Sequence, residues 1–269
     1  MRTIAVTNEK GGVGKSTMAA HIAAGLSLRG RTVLLIDTDP QGHLARLFGM
    51  DAEDGLYRLI VEKAGWGDVV REVPEAAYRP ASLADRQAGG GLYLLPGSTR
   101  TAAIASLEQS PWTLTDRLDE LAEALPEFEL VVMDTAPTAS MFDASIYLAT
   151  DAFIYVTVCE ALSFDGINKS LAKIERFGRR GTSSQRLIGI LPNLIRARTE
   201  NHRMNLKNLA EAFGDLVWKP VAQRTVWTEA SNYGQLVFAY APESGVAADA
   251  WEVVDQAEEA IQKWAAYQE

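Results

Sequence analysis

A glycine-rich segment between a predicted strand and a predicted helix constrains this chain more than any other feature. The segment, called here the phosphate loop, comprises Lys10, Gly11, Gly12, Val13, Gly14, Lys15, Ser16 and Thr17. Small residues let backbone N–H groups close around phosphate oxygens, and the following helix adds the positive end of its dipole. In such a loop Lys15 reaches the β- and γ-phosphates, and the Ser16 hydroxyl binds Mg²⁺. The strand and helix around it favour a nucleotide site over a glycine-rich turn without a ligand.

The start of the phosphate loop departs from the general G-x-x-x-x-G-K-[ST] pattern. Glu9 stands where that pattern has its first glycine, and Lys10 follows it. A second lysine has no obvious use if Lys15 already contacts the same phosphates. It has a use if Lys10 reaches across a dimer interface and supplies transition-state charge at the partner's nucleotide. A solvated surface lysine is the alternative interpretation.

Short apolar runs alternate with stretches of helical periodicity along most of the chain. The predicted strands are Thr3–Thr7, Thr32–Ile36, Leu92–Leu95, Leu130–Met133, Ala152–Val158 and Leu187–Leu191. The predicted helices include Thr17–Leu28, Thr113–Leu125 and Gly166–Phe177. This alternation predicts an α/β fold with a doubly wound, mostly parallel sheet and helices on both faces. Residues 51–91 give no clear pattern, and we expect 1–269 to form a single domain.

Composition excludes several classes of protein. A chain of 269 residues with 47% hydrophobic and 23% charged residues is typical of a globular protein with a sizeable core. Its net charge of −9 excludes a uniformly basic nucleic-acid-binding surface, although not a local patch. The single cysteine, Cys159, cannot form an internal disulfide or hold an iron–sulfur cluster. Neither a signal-peptide pattern nor an apolar run of the roughly 18 residues that span a bilayer occurs, so we expect a cytoplasmic protein.

Motifs in order along the chain resemble those of the ParA/MinD family of ATPases. Residues 10–17 resemble the deviant Walker A motif of that family. Residues 37–42, DTDPQG, resemble its switch I segment, and residues 130–137, LVVMDTAP, resemble its Walker B strand and switch II. Residues 223–238 are similar to the C-terminal region of small ParA-type partition ATPases. The resemblance implies a P-loop NTPase fold with ATP and Mg²⁺ as cofactors, and only residues 51–91 lie outside it.

The resemblance also implies roles for individual residues. Asp39 is expected to position or polarise the attacking water. The expected catalytic residues are Lys10, Lys15 and Asp39. The expected metal-binding residues, acting largely through water, are Ser16, Asp37 and Asp134. The expected nucleotide-binding residues are the phosphate loop and Asn193, which would read the adenine edge. Simple strand-end capping is the alternative interpretation for Asp37 and Asp134.

Basic residues are concentrated between positions 169 and 224, a stretch called here the basic segment. It holds twelve Lys and Arg residues and four Asp and Glu residues, a balance of +8 in a chain of net charge −9. This segregation indicates an electrostatic footprint for nucleic acid, with a solvated helical face as the alternative. The expected DNA contacts are Arg196, Arg198, Arg203, Lys207, Lys219 and Arg224. No helix-turn-helix pattern precedes the first strand, so we expect non-specific binding to duplex phosphates.

The C-terminal helix helps to separate the members of this family. Its apolar face carries Trp251, Val254, Ile261 and Trp264, whereas its polar face is acidic. Anionic lipids attract Lys and Arg on such a face. A membrane-associated, MinD-like positioning ATPase is therefore a less favoured alternative. A metabolic ATP-dependent ligase of the same fold is the other alternative, and it would leave Lys10 and the basic segment without a role.

Together with the resemblance, these features predict an ATP-dependent homodimer that binds DNA non-specifically and associates with the nucleoid. Slow hydrolysis, stimulated by a ParB-like or adaptor protein, would release the dimer. Such a cycle partitions or positions a plasmid, a chromosome or another cargo. The sequence does not identify the cargo.

Overall fold

A computed structural model describes residues 1–83, 90–107, 110–137, 142–160, 163–178, 185–196 and 199–267. Within these ranges the strands are β1 (Arg2–Thr7), β2 (Val33–Asp37), β3 (Arg71–Glu72), β4 (Leu92–Leu95), β5 (Leu130–Asp134), β6 (Ala152–Val158) and β7 (Arg186–Asn193). The helices are α1 (Lys15–Leu28), α2 (His43–Leu47), α3 (Gly55–Ile60), α4 (Trp66–Val69), α5 (Thr101–Ile104), α6 (Thr113–Ala124), α7 (Asp143–Leu148), α8 (Ser163–Gly178), α9 (Glu200–Phe213), α10 (Thr225–Asn232), α11 (Val237–Tyr240) and α12 (Gly245–Ala266). Short 3₁₀ helices occupy Glu75–Ala77, Ala81–Leu83 and Gly214–Leu216.

The seven strands form one sheet in the order β3-β4-β2-β5-β1-β6-β7. Every pair is parallel except β3 with β4, where Arg71 lies opposite Leu94. The sequence analysis did not predict β3, because a strand of two residues, one half-exposed and one exposed, gives no periodicity. The predicted α/β fold is confirmed, and the predicted bounds of β4 and β6 coincide with the observed ones. The strand alternation thus brings the carboxyl ends of β1, β2, β5, β6 and β7 to one edge of the sheet.

Helices cover both faces of the sheet because side chains alternate along each buried strand. In β1, Ile4 and Val6 belong to the core beneath α1, α2 and the C-terminal helices, whereas Ala5 belongs to the core beneath α3–α9. The helix α1 approaches α12 closely at Gly25, where a Cβ atom would lie 2.3 Å from Cγ2 of Val254. The close approach fixes α1, and with it the phosphate loop that precedes α1.

The apolar face of α12 packs on the body of the protein. Val254, Ile261 and Trp264 are buried, and the Trp251 ring lies 4.5 Å from the Phe238 ring, centroid to centroid. The helix begins at Ser244, whose hydroxyl accepts the N–H of Ala247 and satisfies a free donor of the first turn. Among the helices of the described ranges, none is long and apolar enough to cross a membrane.

Candidate active site

The phosphate loop joins β1 to α1 and depends on glycine at two positions. Gly12 and Gly14 have φ values of 73° and 90°, in the left-handed region that L side chains rarely adopt. A Cβ atom on Gly14 would lie 2.3 Å from Nδ2 of Asn193. That same amide nitrogen donates to the carbonyl of Val13 over 2.8 Å. Asn193, at the end of β7, therefore stabilises the loop through this hydrogen bond. Its predicted contact with the adenine edge stays a prediction.

The start of the loop is held by Asn8, which the sequence analysis missed. The Asn8 side chain donates to the carbonyl of Val156 in β6 and accepts the N–H of Lys10, each over 2.8 Å. An asparagine at the start of a glycine-rich turn is the local signal that could have identified Asn8. Asn side chains there accept the backbone N–H two residues ahead. Asn8 thus ties the loop to the neighbouring strand.

The two lysines of the loop lie in opposite environments. Lys15 is only 6% exposed, and its Nζ donates to the carbonyl of Lys10 over 3.2 Å. Burial lowers the pKa of Lys15, while Asp134 and Asp39 act in the opposite direction. The Lys10 side chain is 54% exposed, and its Nζ lies 2.5 Å from Oε2 of Glu160. Lys15 faces the centre of the site, whereas Lys10 is available at its surface.

Two aspartates stand side by side where β2 and β5 end. Asp37 and Asp134 are opposite each other in the strand register. Both oxygens of Asp37 accept backbone N–H groups, from Asp39 over 3.0 Å and from Leu44 over 3.1 Å. Burial and the neighbouring Asp134 nevertheless raise the pKa of Asp37 well above its usual value. Asp37 therefore makes the backbone contacts that the alternative interpretation, strand-end capping, requires.

Asp134 differs from Asp37 because it lacks such contacts. It is fully buried, and neither of its carboxylate oxygens has a hydrogen-bond partner among the described residues. Burial raises the pKa of Asp134 to about 7, against the opposing effects of the Ser16 hydroxyl and the Lys15 ammonium. A buried carboxylate oxygen without a hydrogen-bond partner destabilises the folded chain unless a cation, or water bound to that cation, supplies the missing contact.

These residues fit a hydrated Mg²⁺ ion. The Ser16 hydroxyl and the Asp134 carboxylate are oxygen ligands of the kind that Mg²⁺ takes. No group of three His, Cys, Asp or Glu side chains within the described ranges converges closely enough to hold a metal directly. The donor set suits an ion that keeps most of its water. That Ser16, Asp37 and Asp134 hold this ion stays a prediction.

A cavity of about 450 Å³ opens beside the loop. Its lining residues are Gly11, Gly12, Gly14, Lys15, Ser16, Thr17, Asp39, Gln41, His43, Arg46, Leu47, Pro137 and Ser231. Asp39 is nearly buried, and its Oδ1 accepts the N–H of Gln41 over 2.9 Å. Arg46, in the helix α2 that follows switch I, adds a guanidinium to this lining. The sequence analysis gave Arg46 no role. The cavity thus combines cations, backbone N–H groups and one carboxylate, which suits phosphoryl transfer.

Switch I and the Walker B strand are joined directly. The hydroxyl and the N–H of Thr38 both donate to the carbonyl of Asp134, over 2.7 and 3.1 Å. The backbone at the end of β5 therefore holds the segment that follows β2 through two hydrogen bonds.

Three of the predicted DNA contacts form ion pairs with carboxylates. Lys207 pairs with Glu211 at 3.6 Å, Lys219 with Glu252 at 2.6 Å and Arg224 with Asp249 at 3.8 Å. Glu252 and Asp249 belong to α12, so the acidic face of that helix reduces the local charge of the basic segment. Arg203 lies exposed on α9, and Arg198 lies outside the described residues.

Arg196 lies beside the phosphate loop, next to His202 and Gln223. Its Nε donates to Oε1 of Gln223 over 2.6 Å. A second cavity, of about 200 Å³, is lined by Lys10, Gly11, Gly12, Val13, Val158, Glu160, Leu194, Arg196, His202 and Gln223. Lys10 and Arg196 therefore share one surface next to the nucleotide cavity.

Comparisons with known proteins find a matching family model, similar sequences and similar structures. Residues 1–187 match the family model described as an AAA domain. The chromosome-partitioning ATPase Soj of Thermus thermophilus is 30% identical over 246 residues, which cover 91% of this chain and 90% of that protein. Apo McdA of Cyanothece superposes with a TM-score of 0.77 at 18% identity, over 97% of this chain and 99% of that one. A Mycobacterium smegmatis structure described as cobyrinic acid a,c-diamide synthase with bound ADP and magnesium is 26% identical, with a TM-score of 0.68, over 90% of this chain and 94% of that one.

Proposed function

Because this chain belongs to the ParA/MinD family of P-loop ATPases, we propose that it is an ATP-driven switch that positions a cargo on DNA. It is a positioning ATPase whose cofactors are ATP and Mg²⁺. In the proposed cycle two ATP-loaded subunits associate, bind duplex DNA non-specifically, and separate after hydrolysis. A ParB-like or adaptor protein stimulates the slow hydrolysis, and the cargo is a plasmid, a chromosome or another assembly. Residues 1–269 act as one ATPase domain, which the packing of α12 against α1 supports.

The opposite environments of the two loop lysines carry the proposal. Lys15 lines the 450 Å³ cavity, whereas Lys10 lines the neighbouring one and is 54% exposed. An exposed ammonium next to the site, but outside its cavity, is suited to phosphates that a second subunit brings. Such a contact would add positive charge only in the dimer, so that association and hydrolysis become coupled.

The residues around the cavity support distinct parts of the hydrolysis step. The N–H groups of the loop and the Lys15 ammonium would bind the β- and γ-phosphates and stabilise the charge that develops on them. Asp39 would orient the attacking water through its carboxylate. Mg²⁺, when bound, neutralises phosphate charge, and Ser16, Asp37 and Asp134 would hold its hydrated shell. The Thr38–Asp134 contacts would let both switch segments respond to loss of the γ-phosphate.

The ion pairs of the basic segment indicate weak DNA binding by one subunit. Phosphates must compete with Glu252 for Lys219 and with Asp249 for Arg224. A dimer doubles the number of phosphate contacts, and the second set forms at a high effective concentration. We therefore propose that self-association converts negligible DNA affinity into useful avidity.

Binding to random-sequence duplex DNA tests this function. The protein would be assayed with ATP, with ADP and without nucleotide, at two salt concentrations, beside a Lys10→Ala variant. We expect binding that requires ATP, falls steeply with salt and is weakened by Lys10→Ala. Absence of ATP-dependent binding at low salt would contradict the proposal.

Two further assays would then distinguish the alternatives. Sedimentation with anionic liposomes would indicate a membrane-associated switch. ATP turnover that rises with a small carboxylic acid or amine, without DNA, would indicate a ligase. The similarity of this chain to the Mycobacterium smegmatis structure described as cobyrinic acid a,c-diamide synthase is the observation behind the second assay.

A further inference from the structure

Lys10 is held at both its backbone and its side chain by residues of one strand and its end. Its N–H donates to Asn8, which is itself bonded to Val156 of β6. Its ammonium pairs with Glu160, two residues beyond the end of β6, at 2.5 Å. The hydrogen bond to Lys10 is the main cause that holds the pKa of Glu160 below its usual value. In the single subunit, the position of this lysine is therefore set from within its own chain.

Glu160 also has other neighbours that favour its charged form. Arg196 and His202 line the same 200 Å³ cavity, and both favour the charged carboxylate. The carboxylate therefore keeps favourable electrostatic contacts after the Lys10 ammonium leaves. The free energy needed to separate Lys10 from Glu160 is therefore smaller than for a carboxylate that has no other favourable neighbours. The pair is stable in one subunit but exchangeable.

We propose that Glu160 is a positioning residue that retains Lys10 in its own subunit until the phosphates of a second subunit compete for it. This inference rests on the proposed function, in which Lys10 acts across the dimer. Each association breaks two such ion pairs, one from each subunit. Glu160 thereby raises the protein concentration at which ATP drives self-association, and it keeps the lysine away from phosphates at lower concentrations.

The expected size of the effect follows from the exposure of the pair. The two side chains are 54% and 56% exposed, so solvent and salt screen their attraction. Loss of two pairs of this kind changes a dimerisation constant by about 2- to 30-fold. The change should shrink as salt is raised, because salt weakens the pair itself.

Self-association of the full chain with Mg²⁺ and a non-hydrolysable ATP analogue tests the inference. The midpoint concentration would be measured by analytical ultracentrifugation for wild type, Glu160→Gln, Glu160→Asp, Lys10→Ala and Glu259→Gln. Glu259 forms an exposed pair with Lys263 at 2.6 Å on α12 and serves as the matched control. We expect Glu160→Gln to lower the midpoint by about 2- to 30-fold, Glu160→Asp to lie between it and wild type, and Glu259→Gln to have no effect.

Labelling of Lys10 by an amine-reactive reagent, without nucleotide, provides a second readout. Glu160→Gln should speed the labelling, since the ammonium loses its partner. An unchanged or raised midpoint in Glu160→Gln, while Lys10→Ala still abolishes association, would overturn the inference and leave the proposed function intact. Normal association of Lys10→Ala would contradict the proposed function itself, and the inference with it.

Discussion

The phosphate loop and the basic segment hold their charges in contrasting ways. In the loop Lys15 is almost completely buried, and Asn8 and Asn193 fix the backbone around it. In the basic segment Lys219 is 71% exposed and pairs with a carboxylate of α12. Buried, fixed charges act strongly because water cannot screen them, whereas exposed pairs contribute little. Changes in the loop should therefore have large effects and changes in the segment small, salt-dependent ones.

The largest expected effect is at Lys15. Lys15→Ala should reduce steady-state phosphate release by about 100-fold or more, because it removes a positioned charge from a water-poor site. Lys263→Ala, which removes an exposed lysine of α12, should leave the rate unchanged. Comparable rates for both variants would contradict the contrast between buried and exposed charges.

A change in the loop backbone should come next. Gly14→Ala forces a side chain into the left-handed region and against Asn193, so the free energy of unfolding should fall by about 1–3 kcal/mol. Gly67→Ala is the matched control, because a Cβ atom there meets nothing within 4 Å. Urea unfolding of both variants measures the difference. A Gly14→Ala protein as stable as the control would show that the loop is not held as described.

The buried carboxylate of Asp134 gives a pH-dependent prediction. Burial raises the pKa of Asp134 to about 7 in the folded chain, whereas the unfolded chain has the usual aspartate pKa of 3.8. The nucleotide-free folded state therefore binds the extra proton between these values, and this group's contribution to stability is lost as pH rises towards 7. We expect wild type to lose at least about 1 kcal/mol more than Asp134→Asn across this range.

Urea unfolding at several pH values between 5 and 8, without nucleotide or Mg²⁺, measures that difference. Asp119→Asn, an exposed acid on α6, controls for the loss of a negative charge. Identical pH slopes for wild type and Asp134→Asn would mean that Asp134 is not the buried, unpartnered acid described here.

The smallest expected effect is in the basic segment. Lys219→Ala should weaken ATP-dependent DNA binding by about two- to five-fold and lower the salt slope by about one. Glu252→Gln frees Lys219 and should strengthen binding slightly. Titrations at several salt concentrations check both variants. A loss as large as that of a loop variant would show that Lys219 has a role beyond phosphate contact.

The same contrast explains how much the sequence could predict. The phosphate loop, Asp37, Asp39 and Asp134 are recognisable because their spacing within short segments determines their geometry. The contacts of Asn8 with Val156 and of Lys10 with Glu160 join residues 148 and 150 positions apart, and no local pattern indicates them. The pairing of α12 carboxylates with the basic segment is equally long-range. Charge balance along the chain therefore overstated the free positive charge of that segment.

Residues 51–91 were unreadable for a different reason. Their described part, 51–83 and 90–91, includes short elements such as α3, α4 and β3, each too brief to establish a period. Leu56 and Leu59 nevertheless belong to the core beneath one face of the sheet. His21 shows the same limit, since its imidazole bonds to the nearby Thr17 and accepts the N–H of Val237, which lies 216 positions away.

Subunit mixing tests the central claim most directly. Asp39→Ala should bind ATP and supply its Lys10 to a partner, but it should not hydrolyse ATP. Lys10→Ala keeps an intact cavity, but in its homodimer neither subunit supplies Lys10 to the other. If Lys10 acts across the dimer, mixing the two inactive variants restores ATP hydrolysis in the mixed dimer. If the mixture shows only the sum of the two separate activities, Lys10 acts within its own subunit, and the dimerising switch described here is wrong.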